Sequence, residues 1–197
     1  MTDGRPRIRA PRRAGGDGVP EVFCVNEQND ETIDLERWRE LSVQTLVTEG
    51  VRGGTEITIF FIDSDAMAEL NQEHMGKTGP TDVLAFPLDG TEILETQGPG
   101  AISRGPSRGH FDPDDIPTML GDVLVCPYVA KQQAPSHAGT FDDEIALLLV
   151  HGILHVLGYD HDTDKTTANM RSRERAILEA HHWNGPAPSG FRQDHDQ

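Results

Sequence analysis

Three closely spaced histidines are the residues whose types and spacing most directly predict chemistry. His151, His155 and His161 lie in the segment HGILHVLGYDH. Residues four apart lie on one face of a helix, so the first two imidazoles can reach a common point. Gly158 predicts a left-handed turn that ends this helix and returns His161 to the same point. The spacing therefore predicts a metal site with three nitrogen ligands.

Three protein ligands leave a fourth position for water, which is the arrangement of catalytic rather than structural zinc. One Zn²⁺ ion is accordingly the expected cofactor. The ion lowers the pKa of its bound water to about 7, so this water is the expected nucleophile. The candidates for the general base are the metal-bound hydroxide itself and Asp160, whose alternative role is that of a solvated acidic turn residue.

The other histidines show no comparable pattern. His74, His110 and His137 have no ligand spacing, and we expect His181, His182 and His195 to be solvated because they lie near a polar C-terminus.

The same spacing occurs in the metzincin proteases, whose motif is HExxHxxGxxH. Gly152 occupies the position of the glutamate that serves those enzymes as general base. Without this carboxylate, the usual proton acceptor for attack of water on a peptide is missing. A metallopeptidase is therefore the alternative interpretation, and it would need another base, such as Glu144.

The elements that must position the histidines mix strands and helices without strict alternation. This order predicts an α+β fold in a single domain. Hydrophobic periodicity and capping residues predict strands over 21–26, 55–62, 81–88 and 119–126, and helices over 32–49, 64–75, 128–137 (interrupted by Pro135), 141–157 and 166–182.

Three segments fall outside this core. Residues 1–20 contain five arginines and predict a basic, disordered arm. Residues 89–117 have no hydrophobic periodicity and are rich in Gly and Pro, which predicts a long loop that is either disordered or a lid over the site. Residues 183–197 are polar and rich in Pro and Gly, so we expect a disordered tail.

Charge and composition restrict the function further. The formal net charge is −16, whereas a protein that binds nucleic acid through its overall field should be basic. To bind or cleave RNA, a protein with this charge would need a local cationic cleft, a bound metal or a partner protein that delivers the substrate. The longest apolar run, residues 145–150, is too short to cross a membrane. Cys24 and Cys126 form no paired motif, which fits a reducing cytoplasm.

Beyond the histidines, two upstream blocks support one family. The histidine segment resembles the HGxLHLxGYDH signature of the YbeY family of bacterial rRNA maturation factors. Residues 79–87, GPTDVLAFP, resemble the PT(N/D)VLSFP block of that family, with Ala85 in place of serine. Residues 120–126, LGDVLVC, resemble its LGD(I/L)xI strand. The resemblance covers about residues 21–182, with the blocks in the same order.

The resemblance implies a small mixed β-sheet packed with helices and zinc on the three histidines. It also implies a single-strand-specific endoribonuclease that acts on ribosomal RNA, in 3′ end maturation of small-subunit rRNA and in ribosome quality control. Many members carry an arginine shortly before the PT(N/D)VLSFP block as an RNA contact, and Met75 takes that place here. Lys77 is the nearest cation and the candidate substrate-binding residue.

The implied partners are ribosomal RNA in the small ribosomal subunit and, because the chain is acidic, a basic ribosomal protein. A non-enzymatic alternative also stays open, in which zinc only stabilises a ribosome assembly factor.

Overall fold

A computed structural model describes residues 18–88 and 117–193. Nearly all of the predicted basic arm and loop, residues 1–17 and 89–116, lies outside the described residues, as do residues 194–197. The elements are, in chain order, β1 (Glu21–Glu27), α1 (Leu35–Thr48), β2 (Thr55–Ile62), α2 (Ser64–Met75), β3 (Val83–Pro87), β4 (Thr118–Val125), α3 (Pro127–Gln133), α4 (Phe141–Val156) and α5 (Asp164–His181). The expected α+β fold is confirmed.

The described strands form a mixed sheet in the order β1-β2-β4-β3. Strand β2 pairs in parallel with both β1 and β4, whereas β3 pairs antiparallel with β4. Side chains alternate between the two faces of the sheet. One face packs against α1, α4 and α5, while Ile62 and Leu84 on the other face pack with Met67 of α2.

Helix α4 lies at the centre of the larger core. Thirteen of its sixteen residues are buried, so it is enclosed on nearly all sides. A helix that is apolar all round belongs in the interior of a protein. It begins at Thr140, whose side chain accepts a hydrogen bond from the backbone N–H of Asp143. The side chain of Thr140 therefore caps the first turn of the helix.

Gly152 allows α4 to lie directly on the sheet. A Cβ atom at this position would be 2.5 Å from Cγ1 of Val123 and 3.3 Å from Cγ2 of Val83. These neighbours belong to β4 and β3, the two strands on which the helix rests. The residue in the glutamate position of the protease motif is thus a packing contact with the sheet.

The chain after α5 differs from the expectation of a disordered tail, which was wrong for residues 183–193. Trp183 donates a hydrogen bond from Nε1 to Oδ1 of Asp143. The ring of Phe191 packs against the Trp183 ring at a centroid distance of 4.8 Å. Two aromatic anchors are enough to order this segment, although its average composition is polar.

None of the helices in the described ranges combines the length and apolar character needed to cross a membrane.

The packing at Gly152 predicts that the substitution Gly152→Ala destabilises the fold. Overpacking costs about 1–3 kcal/mol, and the better helix propensity of alanine offsets about 1 kcal/mol of this. We expect a net loss of up to about 2 kcal/mol in the free energy of unfolding of the metal-free protein, measured by urea denaturation. The double variant Gly152→Ala/Val123→Ala, which removes the clashing methyl groups, should lose less than the sum of the two single variants. A higher stability of Gly152→Ala, or strictly additive losses in the double variant, would contradict this account.

Candidate metal centre

The predicted ligands meet at the carboxyl end of α4. One ligand atom from each of His151, His155 and His161 lies within 4.8 Å of the others. The Nε2 atoms of His151 and His155 are 3.0 Å apart, as expected for residues on one face of a helix. Local sequence spacing therefore does bring the three side chains together.

The second ring nitrogen of each helical histidine fixes its tautomer. Nδ1 of His155 donates to the backbone carbonyl of Tyr159 at 3.0 Å, and Nδ1 of His151 donates to Oε1 of Glu174 at 2.7 Å. A carbonyl and a carboxylate only accept hydrogen bonds, so the proton of each neutral ring is on Nδ1. Both Nε2 atoms then direct a lone pair towards the same point, which is the donor arrangement that a metal ion requires.

Protonation of His155 does not compete with a metal at neutral pH. Burial, together with the neighbouring His151 and His161, lowers the pKa of His155 to about 4. The ring is thus neutral near pH 7, and its lone pair is available as a ligand.

His161 reaches the centre because α4 ends in a Schellman motif. Gly158 adopts a φ angle of +87°, and its N–H donates to the carbonyl of His155. The N–H of Tyr159 donates to the carbonyl of Leu154, which completes the motif and reverses the chain. The hydroxyl of Thr167 then donates to the carbonyl of His161, which fixes that ligand against the first turns of α5.

Glu174 is a functional residue that the sequence reasoning missed. Its carboxylate is buried in α5 and orients the ring of His151. Carboxylate partners of this kind fix the tautomer of a ligand histidine and raise its basicity. The available signal was a glutamate between Met170 and Ile177, on the apolar face of a predicted helix.

A second buried carboxylate secures the turn that carries His161. Tyr159 donates from its hydroxyl to Oε2 of Glu49 at 2.7 Å, and Arg173 forms an ion pair with Oε1 of Glu49. These contacts join the end of α1, the turn after α4, and α5. The ligand turn is therefore fixed to two other helices.

The remaining predicted site residues have different environments. Asp160 is exposed, and its side chain accepts a hydrogen bond from the backbone N–H of His161, which lowers the pKa of its carboxyl group. Its role as a general base stays a prediction. Lys77 lies apart from the three ligands, on the wall of a neighbouring cavity.

Glu144 is enclosed at the opposite end of α4, where it binds His137 and the backbone N–H of Ala138. It has no exposed surface, and seven residues of helix, about 10 Å, separate it from His151. It is therefore not placed to act as the base of a peptidase.

Two histidines were wrongly expected to be solvated. Nε2 of His182 lies 2.8 Å from Oδ1 of Asp143, and Nε2 of His181 lies 2.9 Å from the hydroxyl of Thr48. Both take part in packing the end of α5 against the core. His195 lies beyond the described residues.

Most of the chain is similar in sequence to known proteins. Residues 23–182 match the YbeY family, described as endoribonuclease YbeY. A protein named endoribonuclease YbeY from Acidothermus cellulolyticus is 39% identical over 161 residues, which cover 80% of this chain and 91% of the relative. The proteins of the same name from Bacillus cytotoxicus and Mycolicibacterium smegmatis are each 36% identical; they cover 72% and 80% of this chain, and 83% and 82% of their own lengths. By sequence match over most of its length, the chain belongs to the YbeY family.

Proposed function

We propose that this protein is a zinc-dependent endoribonuclease specific for single-stranded RNA, which acts in 3′ end maturation of small-subunit rRNA and in ribosome quality control. The observation that carries the proposal is the pair of Nε2 atoms, 3.0 Å apart, whose lone pairs converge with His161 at one point. The name of the relatives, endoribonuclease YbeY, supports RNA as the substrate.

The three histidines would hold the ion, and Glu174 would orient His151. When bound, a zinc ion supplies a Lewis acid for a phosphoryl oxygen and lowers the pKa of water. Its positive charge also offsets the acidic surface of a chain with a net charge of −16. The protein itself contributes fixed ligand orientations, since each Nδ1 of the helical histidines is held by a hydrogen bond.

Two observations favour RNA over peptide as the substrate. Gly152, in place of the peptidase base, packs on Val123, and Glu144 is fully enclosed by other partners. Neither position supplies a carboxylate at the metal centre. The cavity that contains Lys77, by contrast, offers positive charge for a phosphate.

The proposed partners are ribosomal RNA in the small subunit and a basic ribosomal protein that the acidic surface would attract. The proposed location is the cytoplasm, where the free thiols of Cys24 and Cys126 would stay reduced.

The substitution His155→Ala tests the metal-dependent activity. It removes one of three ligands, so the metal content measured by mass spectrometry should fall to background, and cleavage of a single-stranded RNA oligonucleotide should be lost. The parent protein treated with a chelator should behave in the same way and regain activity on addition of zinc.

The matched control is His74→Ala, because His74 packs on Phe86 away from the centre. This variant should keep both metal and cleavage. Cleavage of RNA by a demonstrably metal-free His155→Ala protein would refute the proposal. Cleavage of casein under conditions that leave RNA intact would instead support the peptidase alternative.

The substitution Glu174→Gln tests the carboxylate behind His151. Loss of its negative charge should lower zinc affinity about 10- to 100-fold, the usual effect of removing such a partner. Competition with a chromophoric chelator measures this change. The control Glu179→Gln alters the same helix at a half-buried position, where the carboxylate pairs with Arg175 and accepts from the backbone N–H of Ala187, and its zinc affinity should match the parent. Equal affinities of the two variants would contradict the assigned role.

A further inference from the structure

A cavity of about 660 Å³ lies between the end of α2, the start of β3 and the chain near residue 192. Its walls include two cations, Lys77 and Arg192, together with the exposed side chain of Met75. Met75 stands where the sequence resemblance expects an RNA-contacting arginine. The cavity therefore surrounds the position from which a family cation is missing.

These two cations differ from most others in the described part of the chain. Many described lysines and arginines pair with carboxylates, namely Arg37 with Asp142, Arg39 with Glu36, Lys131 with Glu31, Arg173 with Glu49 and Arg175 with Glu179. Within residues 18–88 and 117–193, neither Lys77 nor Arg192 forms a salt bridge. Within the described residues, two cations that form no salt bridge thus line one cavity together with one carboxylate, that of Asp82. The wall therefore carries more positive than negative charge, and this favours an anionic ligand.

The backbone of Arg192 is held in place within residues 188–193, a segment that we call the C-terminal strap. The backbone N–H of Phe191 donates to the carbonyl of Pro188, and its ring packs on Trp183. The backbone N–H of Arg192 donates to the carbonyl of His137 at 3.0 Å. Because the backbone is fixed before a ligand arrives, less conformational entropy is lost on binding.

The strap also connects this cavity to the metal centre. Nε2 of Gln193 donates to Oε2 of Glu174 at 3.0 Å, and Oε1 of Glu174 binds His151. Gln193 itself lines a smaller cavity with His151 and His161. Consecutive Cα atoms are about 3.8 Å apart, so the Cα of Arg192 lies about this distance from the Cα of Gln193. Arg192 is therefore the chain neighbour of a residue that binds Glu174, the hydrogen-bond partner of His151.

We propose that Arg192 contacts a backbone phosphate of the bound RNA adjacent to the phosphate at the metal centre, and that with Lys77 it replaces the cation absent at Met75. This inference rests on the proposed endoribonuclease function. Arginine suits the role because its planar guanidinium donates two parallel hydrogen bonds to a phosphate. The positive charge of Arg192 belongs to the strap, a segment for which the average composition predicts only a disordered tail.

The variant Arg192→Gln tests the contact in the zinc-loaded full chain. Fluorescence anisotropy with a labelled single-stranded RNA oligonucleotide, its intactness checked on a gel, should show an affinity lower by about tenfold at low salt. The slope of log affinity against log salt should become shallower by about 0.7, the value for one phosphate contact in a single strand. Arg192→Lys should retain most of the slope, because it keeps the charge. Lys77→Gln should cause a further, separate decrease.

The matched control is Arg52→Gln, which removes an exposed arginine before β2, at the end of the sheet opposite to Val83. Its affinity and salt slope should equal those of the parent. Zinc content and melting temperature of Arg192→Gln should also be unchanged, since the strap is anchored by Phe191 and Gln193.

An Arg192→Gln protein with the salt slope of the Arg52→Gln control would overturn this inference while the proposed function stands. If the parent protein neither binds nor cleaves single-stranded RNA, the proposed function fails and this inference fails with it.

Discussion

The close contact between helix α4 and the sheet is the constraint on which the rest of the structure depends. A glycine at position 152 lets the helix backbone approach Val123 and Val83. This approach buries nearly the whole helix and sets the depth at which His151 and His155 lie. The protease motif has its general-base glutamate at the same position. In this protein a glutamate side chain there would clash with Val123, so the close packing of α4 excludes that base.

Burial of the helix places charged groups in the interior, and each has a compensating partner. Glu144 binds His137 near the start of α4, Glu174 binds His151 towards its end, and Glu49 binds Arg173 beside the following turn. An isolated buried charge costs several kcal/mol, and a well-oriented, hydrogen-bonded partner offsets part of that cost. The pair of Glu174 with His151 also determines where this imidazole points. One of the buried carboxylates thus orients a candidate metal ligand as well.

The sequence predicted well those features that depend on local spacing. The convergence of the three histidine side chains and the turn at Gly158 follow from helical periodicity and from the preference of glycine for positive φ angles. The position of Glu174 could not be predicted, because it depends on how α5 packs against α4. The order of the chain around Phe191 was not predicted, because an average over a polar segment does not show that Trp183 and Phe191 pack on each other.

The order of the strands has a consequence for how the molecule folds. Strand β2 lies beside β1, its near neighbour in sequence, but also beside β4, which begins more than fifty residues after β2 ends. Pairings between distant segments form slowly, because the intervening chain loses conformational entropy before the contacts of the pairing can stabilise the structure. The β1–α1–β2 unit can therefore assemble early, whereas β4 and β3, the two strands on which α4 rests, join the sheet later. The meeting of the three histidines at the end of α4 is thus expected among the last events of folding.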